Sequence, residues 1–420
     1  MLSLSQLLAI LLTATATFAW VNHRFIRLPE SIGLLALGVG ASLLLIVTRH
    51  LFPGLGIDAA LTKSLRQIDF YDAVMHGMLG FLLFAAALNV DISRLKRRLS
   101  VVGALATIGT AISTIIIAVG LWLATKALGA PIGFAWALVF GALIAPTDPV
   151  AVLSTLRSVK VPAALETDMS GEALLNDGIA VVLFAVLVQF AGGESNPNAV
   201  EIAELLVLEA FGGALLGLCT GYIAYRAIRS IDDYSIEVMI SLALVTATYA
   251  AADALHMSGP ISVVVAGVLI GNRGAEHAMS EVTKRYVFGF WRLVDDILNA
   301  VLFLLIGLEI AVLPIDPGFG LIALVAVPIV LAARFVSVAG SVLLLSRWQS
   351  FARGTIAVLT WGGVRGGISV ALVLSLEDSP ARVPLLAATY AVVLFTILVQ
   401  GLTLGHVIRK TIEPEENGHS

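Results

Sequence analysis

Residues 140–184 read FGALIAPTDPVAVLSTLRSVKVPAALETDMSGEALLNDGIAVVLF. Two apolar segments face each other across a short polar connection. The first is interrupted in its middle by Pro146-Thr147-Asp148-Pro149, and the second carries Glu172, Asn176 and Asp177. A carboxylate inside a membrane-spanning segment is costly and therefore marks function by default. Whether these acids lie in a membrane is decided by the rest of the chain.

Of the 420 residues, 59% are hydrophobic and only 13% charged, with mean hydropathy +0.98. A soluble domain is nearer half apolar and a quarter charged. The apolar residues fall in blocks of about 20, the length that crosses ~30 Å of hydrocarbon. The expected fold is an all-α polytopic membrane protein of about 13 spans. Met1 to Trp20 reads as the first span rather than a cleaved leader, because no Lys or Arg precedes its apolar run and a leader begins basic. The single cysteine, Cys219, excludes an internal disulfide. The seven histidines show no metal-ligand spacing, and no cofactor is expected.

Orientation follows from Lys and Arg in the connections. Connections after even-numbered spans hold only Arg49, Lys63, Arg66, Lys126 and Arg382. Arg292, Arg334 and Arg365 fall within spans, and the rest of the 25 basic residues lie after odd-numbered spans. The odd side is therefore cytoplasmic, with the N-terminus outside and the C-terminus inside. This alternation permits two inverted six-helix repeats, spans 1–6 and 8–13, joined by span 7. Transport sites sit where matching spans of such repeats are broken near the midplane. Span 5 is broken at Pro146–Pro149, and its counterpart, span 12, contains Trp361-Gly362-Gly363-Val364-Arg365-Gly366-Gly367. A glycine-rich packing face is the structural alternative for span 12. Span 7 carries Gly213, Gly217 and Gly221, a small-residue stripe for close helix contact within or between subunits.

Pro146 and Pro149 each lack an N–H donor and clash with the preceding turn, so the backbone carbonyls they free need partners. Those carbonyls, with Thr147 and Asp148, form a hard-oxygen environment suited to a small cation. Asp148 capping the next half-helix is the structural alternative. Glu172 and Asn176 share a face at i,i+4, and Asp177 is one step round, ~13 Å deep at 1.5 Å per residue. Arg334, deep in span 11, needs an acid; Glu172, Asp148 and Asp177 are the candidates. Asp295, Asp296 and Asn299 in span 10 suit an access funnel or a structural role. Desolvation raises a carboxylate's pKa, so a buried acid can hold a proton or a cation but poorly both at once. Competition at one such group, with no crossing of the empty charged site, yields obligatory exchange.

At Thr147-Asp148-Pro149, Gly171-Glu172-Ala173-Leu174-Leu175-Asn176-Asp177-Gly178, Arg334 and Gly362-Gly363-Val364-Arg365-Gly366-Gly367, the chain resembles the bacterial and archaeal sodium/proton antiporters of the first cation–proton antiporter family, relatives of the sodium/hydrogen exchangers. The similarity covers essentially the whole chain. The resemblance implies a homodimer in the inner (plasma) membrane, with interface helices in residues 1–98 and 193–312. It places a mobile core in residues 99–192 and 313–410, followed by a short tail, 411–420. It further implies elevator-like movement and electroneutral exchange of one cation for one proton. Asp177 would bind both ion and proton, as the principal carboxylate for a monovalent cation with Asp148. Thr147 would assist, Asn176 would shape the site, and Glu172 would pair with Arg334. Electrogenic relatives have a second Asp at the position of Asn176. Many relatives have Ser where this chain has Ala173, which leaves the ligand count and the choice among Na+, Li+ and K+ open.

Other classes fit less well. A K+/H+ antiporter of the same fold is the nearest alternative. An intramembrane aspartyl protease wants Gly-x-Gly-Asp on a span, and the nearest string, Gly54-Leu55-Gly56-Ile57-Asp58, is out of register and outside the membrane. No His-Glu-x-x-His or Gly-x-Ser-x-Gly occurs, and the potassium-filter string of a channel is absent. Nothing in the charge pattern suggests a nucleic-acid partner; lipid, a small cation and a proton are the expected ones.

Overall fold

A computed structural model describes residues 4–51, 70–148, 161–193, 199–311, 319–377 and 379–412, and among these residues there is no strand. The helices, numbered in chain order, are α1 Leu4–Val21, α2 Glu30–Leu51, α3 Phe70–Leu88, α4 Ile92–Ala127, α5 Phe134–Ile144, α6 Ala163–Gly192 and α7 Ala199–Ile228. They continue with α8 Tyr234–Ala254, α9 Gly259–Leu269, α10 Glu281–Glu309, α11 Gly320–Leu345, α12 Thr355–Trp361, α13 Gly367–Leu374 and α14 Arg382–Thr411. Eight of the described helices (α2, α3, α4, α6, α7, α8, α11 and α14) are long and apolar enough to cross a membrane. The outward faces of the bundle carry exposed Phe211, Ile223, Leu324, Leu343 and Trp348, an apolar belt that only lipid or another protein surface would cover.

Side-chain caps set several helix starts. Asp91 accepts from the Ser93 and Arg94 amides at the head of α4. Asp233 does the same for Ser235 and Ile236 at α8, and Ser280 caps α10 through the Thr283 amide. Such caps satisfy amide groups that the first helical turn leaves unpaired. The Asp91 cap starts α4 at Ile92. The expected division at residue 98 therefore falls inside one continuous rod.

Packing groups the helices into two bodies. In one, α2 lies on α10, α9 on α3 and α8, and α7 on α9. Trp291 of α10 sits at its centre, donating to Ser241 of α8 at 2.9 Å and lying 4.6 Å from the Phe84 ring. The stripe at Gly213, Gly217 and Gly221 is satisfied within the chain, against α9. A Cβ on Gly217 would stand 2.1 Å from the Ser262 carbonyl, so only glycine permits that approach. In the second body, α4 packs on α5, α6 and α11, α6 on α5, and α14 on α11, α12 and α13. The bodies meet where α6 touches α7 and α9, and where α13 touches α3 and α10. The connection that includes residues 52–69 and the tail from 413 lie outside the described residues.

Candidate functional site

Two helix breaks lie back to back in the second body. Helix α5 stops at Ile144, and Pro146, Thr147 and Asp148 continue without helical structure. Pro149, the other proline of the motif, lies outside the described residues. Helix α12 stops at Trp361 and α13 starts at Gly367, leaving Gly363–Gly366 without helical structure across the gap. Backbone freed this way inside a membrane must find partners within the protein, and here each break supplies the other. The Asp148 amide donates to the Val364 carbonyl at 2.8 Å. Arg365 donates through Nη1 to the carbonyls of Ala145 and, at 2.8 Å, Pro146. The Arg365 amide donates to Thr396 Oγ1 at 3.1 Å. That hydroxyl is delivered by a π-turn in α14, Thr396–Gly401.

The half-helix dipoles are matched by charge. The guanidinium of Arg365 sits at the carbonyl end of α5, where a cation is favoured. Asp148 lies against the start of α13, where an anion is favoured: a Cβ on Gly366 would fall 2.1 Å from Asp148 Oδ2. Only a residue without a side chain lets the carboxylate approach that backbone.

Helix α6 supplies the remaining polar groups. Glu172 forms a two-pronged ion pair with Arg334 of α11, one arm between Oε1 and Nη1 and the other between Oε2 and Nη2 at 2.9 Å. Both residues are buried, and Arg334 also donates to the Leu359 carbonyl at the end of α12, from Nε at 3.2 Å and Nη2 at 3.1 Å. Of the three acids open to Arg334 in the sequence, this is the one it meets. Gly363 makes room for it, since a Cβ there would lie 2.8 Å from Arg334 Nε. Asn176 donates from Nδ2 to Thr147 Oγ1 at 3.0 Å. The Asn176 Oδ1 is buried without a hydrogen-bond partner among the described residues, an orphaned acceptor of the kind that ligands or water satisfy.

Asp177 and Asp148 both face one cavity of about 340 Å³. Pro146, Thr147, Gly366 and Gly367 join them in its wall, with Asp295, Asp296 and Asn299 of α10 across from them. Glu30, Asp91, Arg94 and Glu166 line the same cavity, so it extends from the helix crossing to the ends of the helices that Asp91 and Glu30 begin. Asp295 Oδ1 accepts from Asn299 Nδ2 at 2.9 Å. Among the described residues, no hydrogen bond or ion pair engages the Asp177 carboxylate. Gly362 caps the end of α12 and does not line the cavity. Ala173 is buried beside Glu172.

Sequence reasoning missed three contributors. Arg98 and Asp168 form a second buried ion pair; Arg98 reads in sequence as one more cationic residue of a cytoplasmic connection. Its only hint is that Asp168 stands four residues before Glu172, on the same helix face. Thr396 and the Leu359 carbonyl complete the breaks, and neither has a sequence signal.

The family model described as "Sodium/hydrogen exchanger, transmembrane" matches residues 10–410. Among known proteins, the Na+/H+ antiporter NhaP of Pseudomonas aeruginosa is 42% identical over 424 residues, covering 99% of this chain and 100% of the relative. The Na+/H+ antiporter NhaH of Halobacillus dabanensis is 36% identical over 407 residues, covering 96% of each. The solved structure of the sodium proton antiporter MjNhaP1 from Methanocaldococcus jannaschii at pH 8 superposes with TM-score 0.74 at 21% identity, over 96% of this chain and 97% of that one. At that identity the likeness speaks to the fold.

Proposed function

The chain belongs to the transmembrane sodium/hydrogen exchanger family, and from that premise we propose that it is a secondary antiporter exchanging a monovalent cation, Na+ foremost, for H+. Cation and proton compete for Asp177. The observation that carries this reading is the state of Asp177: it faces the cavity at the crossing of two broken helices, unengaged by any described residue, while the acid nearest it in α6, Glu172, is consumed by Arg334.

We assign the roles as follows. Asp177 takes the cation or the proton. Asp148, Thr147 and the Asn176 Oδ1 supply further oxygens of the hard type that alkali cations prefer. Glu172 and Arg334 fasten α6 to α11 and to the end of α12. Arg365, with the glycines of the α12–α13 break, holds the crossing together. Asp295, Asp296 and Asn299 line the approach, so that cations concentrate near the site before binding. We read the body of α4–α6 and α11–α14 as the moving core, and that of α1–α3 and α7–α10 as the scaffold and homodimer interface, sliding past one another in an elevator-type cycle. The cavity reaches the side where the connections are basic; we read that side as the cytoplasm, with the N-terminus outside, the C-terminus inside and the protein in the plasma membrane, so that this conformation opens inward. Thirteen crossings in two inverted repeats complete this reading. Asn176 carries no charge, which leaves one exchangeable charge per cycle and a one-for-one stoichiometry.

Everted vesicles carrying the protein should dissipate a preset pH gradient when Na+ is added, with Li+ and K+ compared in parallel to define selectivity. Asp177→Asn should abolish the response. Silence toward all three cations, from mildly acidic to mildly alkaline pH, refutes antiport; an active Asp177→Asn variant refutes the choice of carboxylate.

A further inference from the structure

Helix α6 presents Asp168, Glu172 and Asn176 at four-residue intervals, so the three lie in a row along one face. Each rung grips a different element. Asn176 holds Thr147 after α5, Glu172 holds Arg334 of α11, and Asp168 holds Arg98 of α4. This last contact is the most elaborate. Arg98 Nε donates to Asp168 Oδ1 at 2.8 Å, and Nη2 closes a fork on Oδ2. Arg98 Nη1 donates to Gln349 Oε1 at 3.3 Å and to the Ser350 carbonyl at 3.2 Å. The guanidinium lies 5.0 Å from the centre of the Phe351 ring. Asp168 is 1% exposed and Arg98 8%.

We propose that Arg98 and Asp168 are a positioning pair for ion exchange, fixing α6 against α4 and against the segment that leads into α12. This inference rests on the antiport reading and adds residues to it. Residues 349–351 lie just before α12, whose far end forms the second helix break. One guanidinium therefore ties together the two elements that meet at the site: α6, which carries Asp177, and α12, which leads to Gly366. A planar guanidinium sets both distance and rotation when it binds a carboxylate through two parallel bonds. The lever is long. Nine residues of helix at 1.5 Å each separate Asp168 from Asp177, about 13 Å, so a tilt of about 5° pivoting at Asp168 moves the Asp177 backbone by about 1 Å. Neither residue faces the cation, so the pair acts on the ion only through the placement of Asp177.

The test uses the full chain in proteoliposomes, with rates normalised to folded protein by size exclusion. Asp168→Asn removes the charge and half of the fork, and Arg98→Lys keeps the charge but loses the planar fork. Both should raise the KM for Na+, by roughly tenfold for Asp168→Asn and less for Arg98→Lys, with a smaller change in maximal rate. A purely structural pair would lower the yield and leave KM per folded molecule unchanged; a KM within about twofold of wild type in both variants overturns the proposal. Should Asp168→Asn fail to fold, Arg98→Lys and Gln349→Ala decide the question by the same criterion, because each removes only part of the network. Absence of exchange in the wild-type protein refutes the antiport reading instead, so the two failures are distinguishable. In that event Na+-dependent thermal stabilisation of the purified variants, which needs binding but not exchange, still decides the positioning role.

Discussion

Replacing Gly366 with alanine adds one methyl group at the point where the two broken helices meet. That carbon would lie 2.1 Å from Asp148 Oδ2 and 2.6 Å from both Cβ and Cγ of the same residue. Carbon and oxygen ordinarily stand no closer than about 3.3 Å, so the carboxylate must move by about 1 Å or the break must open. The backbone is not the obstacle: Gly366 has φ −121° and ψ −159°, extended values that alanine adopts freely. The perturbation is therefore a displacement of Asp148 from the start of α13 and from the wall it shares with Asp177. A misplacement of about 1 Å at a reacting site can lower a rate by ~10²-fold. Crowding of a packed interior also costs about 1–3 kcal/mol of stability. Cation-induced collapse of a pH gradient in everted vesicles reads the first effect, and thermal unfolding of the purified protein reads the second. Gly340→Ala in α11 is the control: a Cβ there meets nothing within 4 Å, and alanine in a helix interior stabilises by about 0.5–1 kcal/mol. If Gly366→Ala exchanges cations at the wild-type rate and KM, the close approach of Asp148 to the second break has no part in transport, and the account of the crossing is wrong.

Glu172→Gln leaves the Arg334 guanidinium buried without its carboxylate. Loss of one member of a buried pair costs about 3–5 kcal/mol, so the melting temperature should fall sharply. Replacing both residues with methionine should recover much of that stability, and a double variant as unstable as Glu172→Gln would contradict the pairwise explanation. Asp91→Ala tests the start of α4 through pH. The Arg94 amide, then the Ser93 amide and the Arg94 charge, hold the Asp91 carboxyl below its usual range. A depressed value means the stabilisation is complete above the ordinary carboxylate pKa of about 3.9 and disappears as pH falls through the lower folded value. The difference in melting temperature between wild type and Asp91→Ala should accordingly stay constant from alkaline to mildly acidic pH and shrink only in stronger acid. A difference that vanishes near neutrality would show that another group governs this helix end.

What could be read in the sequence was whatever hydrocarbon makes costly. Apolar runs, the two interruptions and the acids stand out because a membrane tolerates none of the polar ones without reason. Arg334 announces that it needs a partner, although the residues alone leave three acids open. The contacts that assemble the site were not legible, because they join backbone to backbone or segments far apart in the chain. The Asp148 amide meets Val364, the Arg365 amide meets Thr396, and Arg98 meets Asp168 and the 349–351 segment. Arg98 also shows why charge counting stops short. It sits in a run of basic residues that reads as a cytoplasmic connection, yet the Asp91 cap draws that run into α4 and turns Arg98 inward.

The charges around the crossing balance in a way that bears on stoichiometry. Among the described residues of α4–α6 and α11–α14, the buried charged side chains are Arg98, Asp168, Glu172, Asp177, Arg334 and Arg365; Asp148 at the crossing and Arg382 at the start of α14 are partly buried. Arg98 balances Asp168, and Arg334 balances Glu172. Arg365 at the carbonyl end of α5 and Asp148 at the start of α13 bring one positive and one negative charge to the two breaks. At the crossing and its two ion pairs, three arginines therefore face four acids, and in the proposed mechanism one proton or one monovalent cation at Asp177 would cancel the excess negative charge. On the proposed exchange cycle, a core loaded in either way would carry no net charge across the membrane, and the empty, ionised core would be disfavoured from crossing because its single charge is uncompensated. If one net charge moved per cycle, a potential of 100 mV would act on it with about 2.3 kcal/mol, roughly a fiftyfold bias in the exchange equilibrium. Proteoliposomes with an imposed potassium-diffusion potential of either sign should therefore give the same cation-driven proton flux as liposomes held at zero potential. A flux that follows the sign of the potential would mean that a second group in the core changes protonation during the cycle. The balance built on Asp177 alone would then fail.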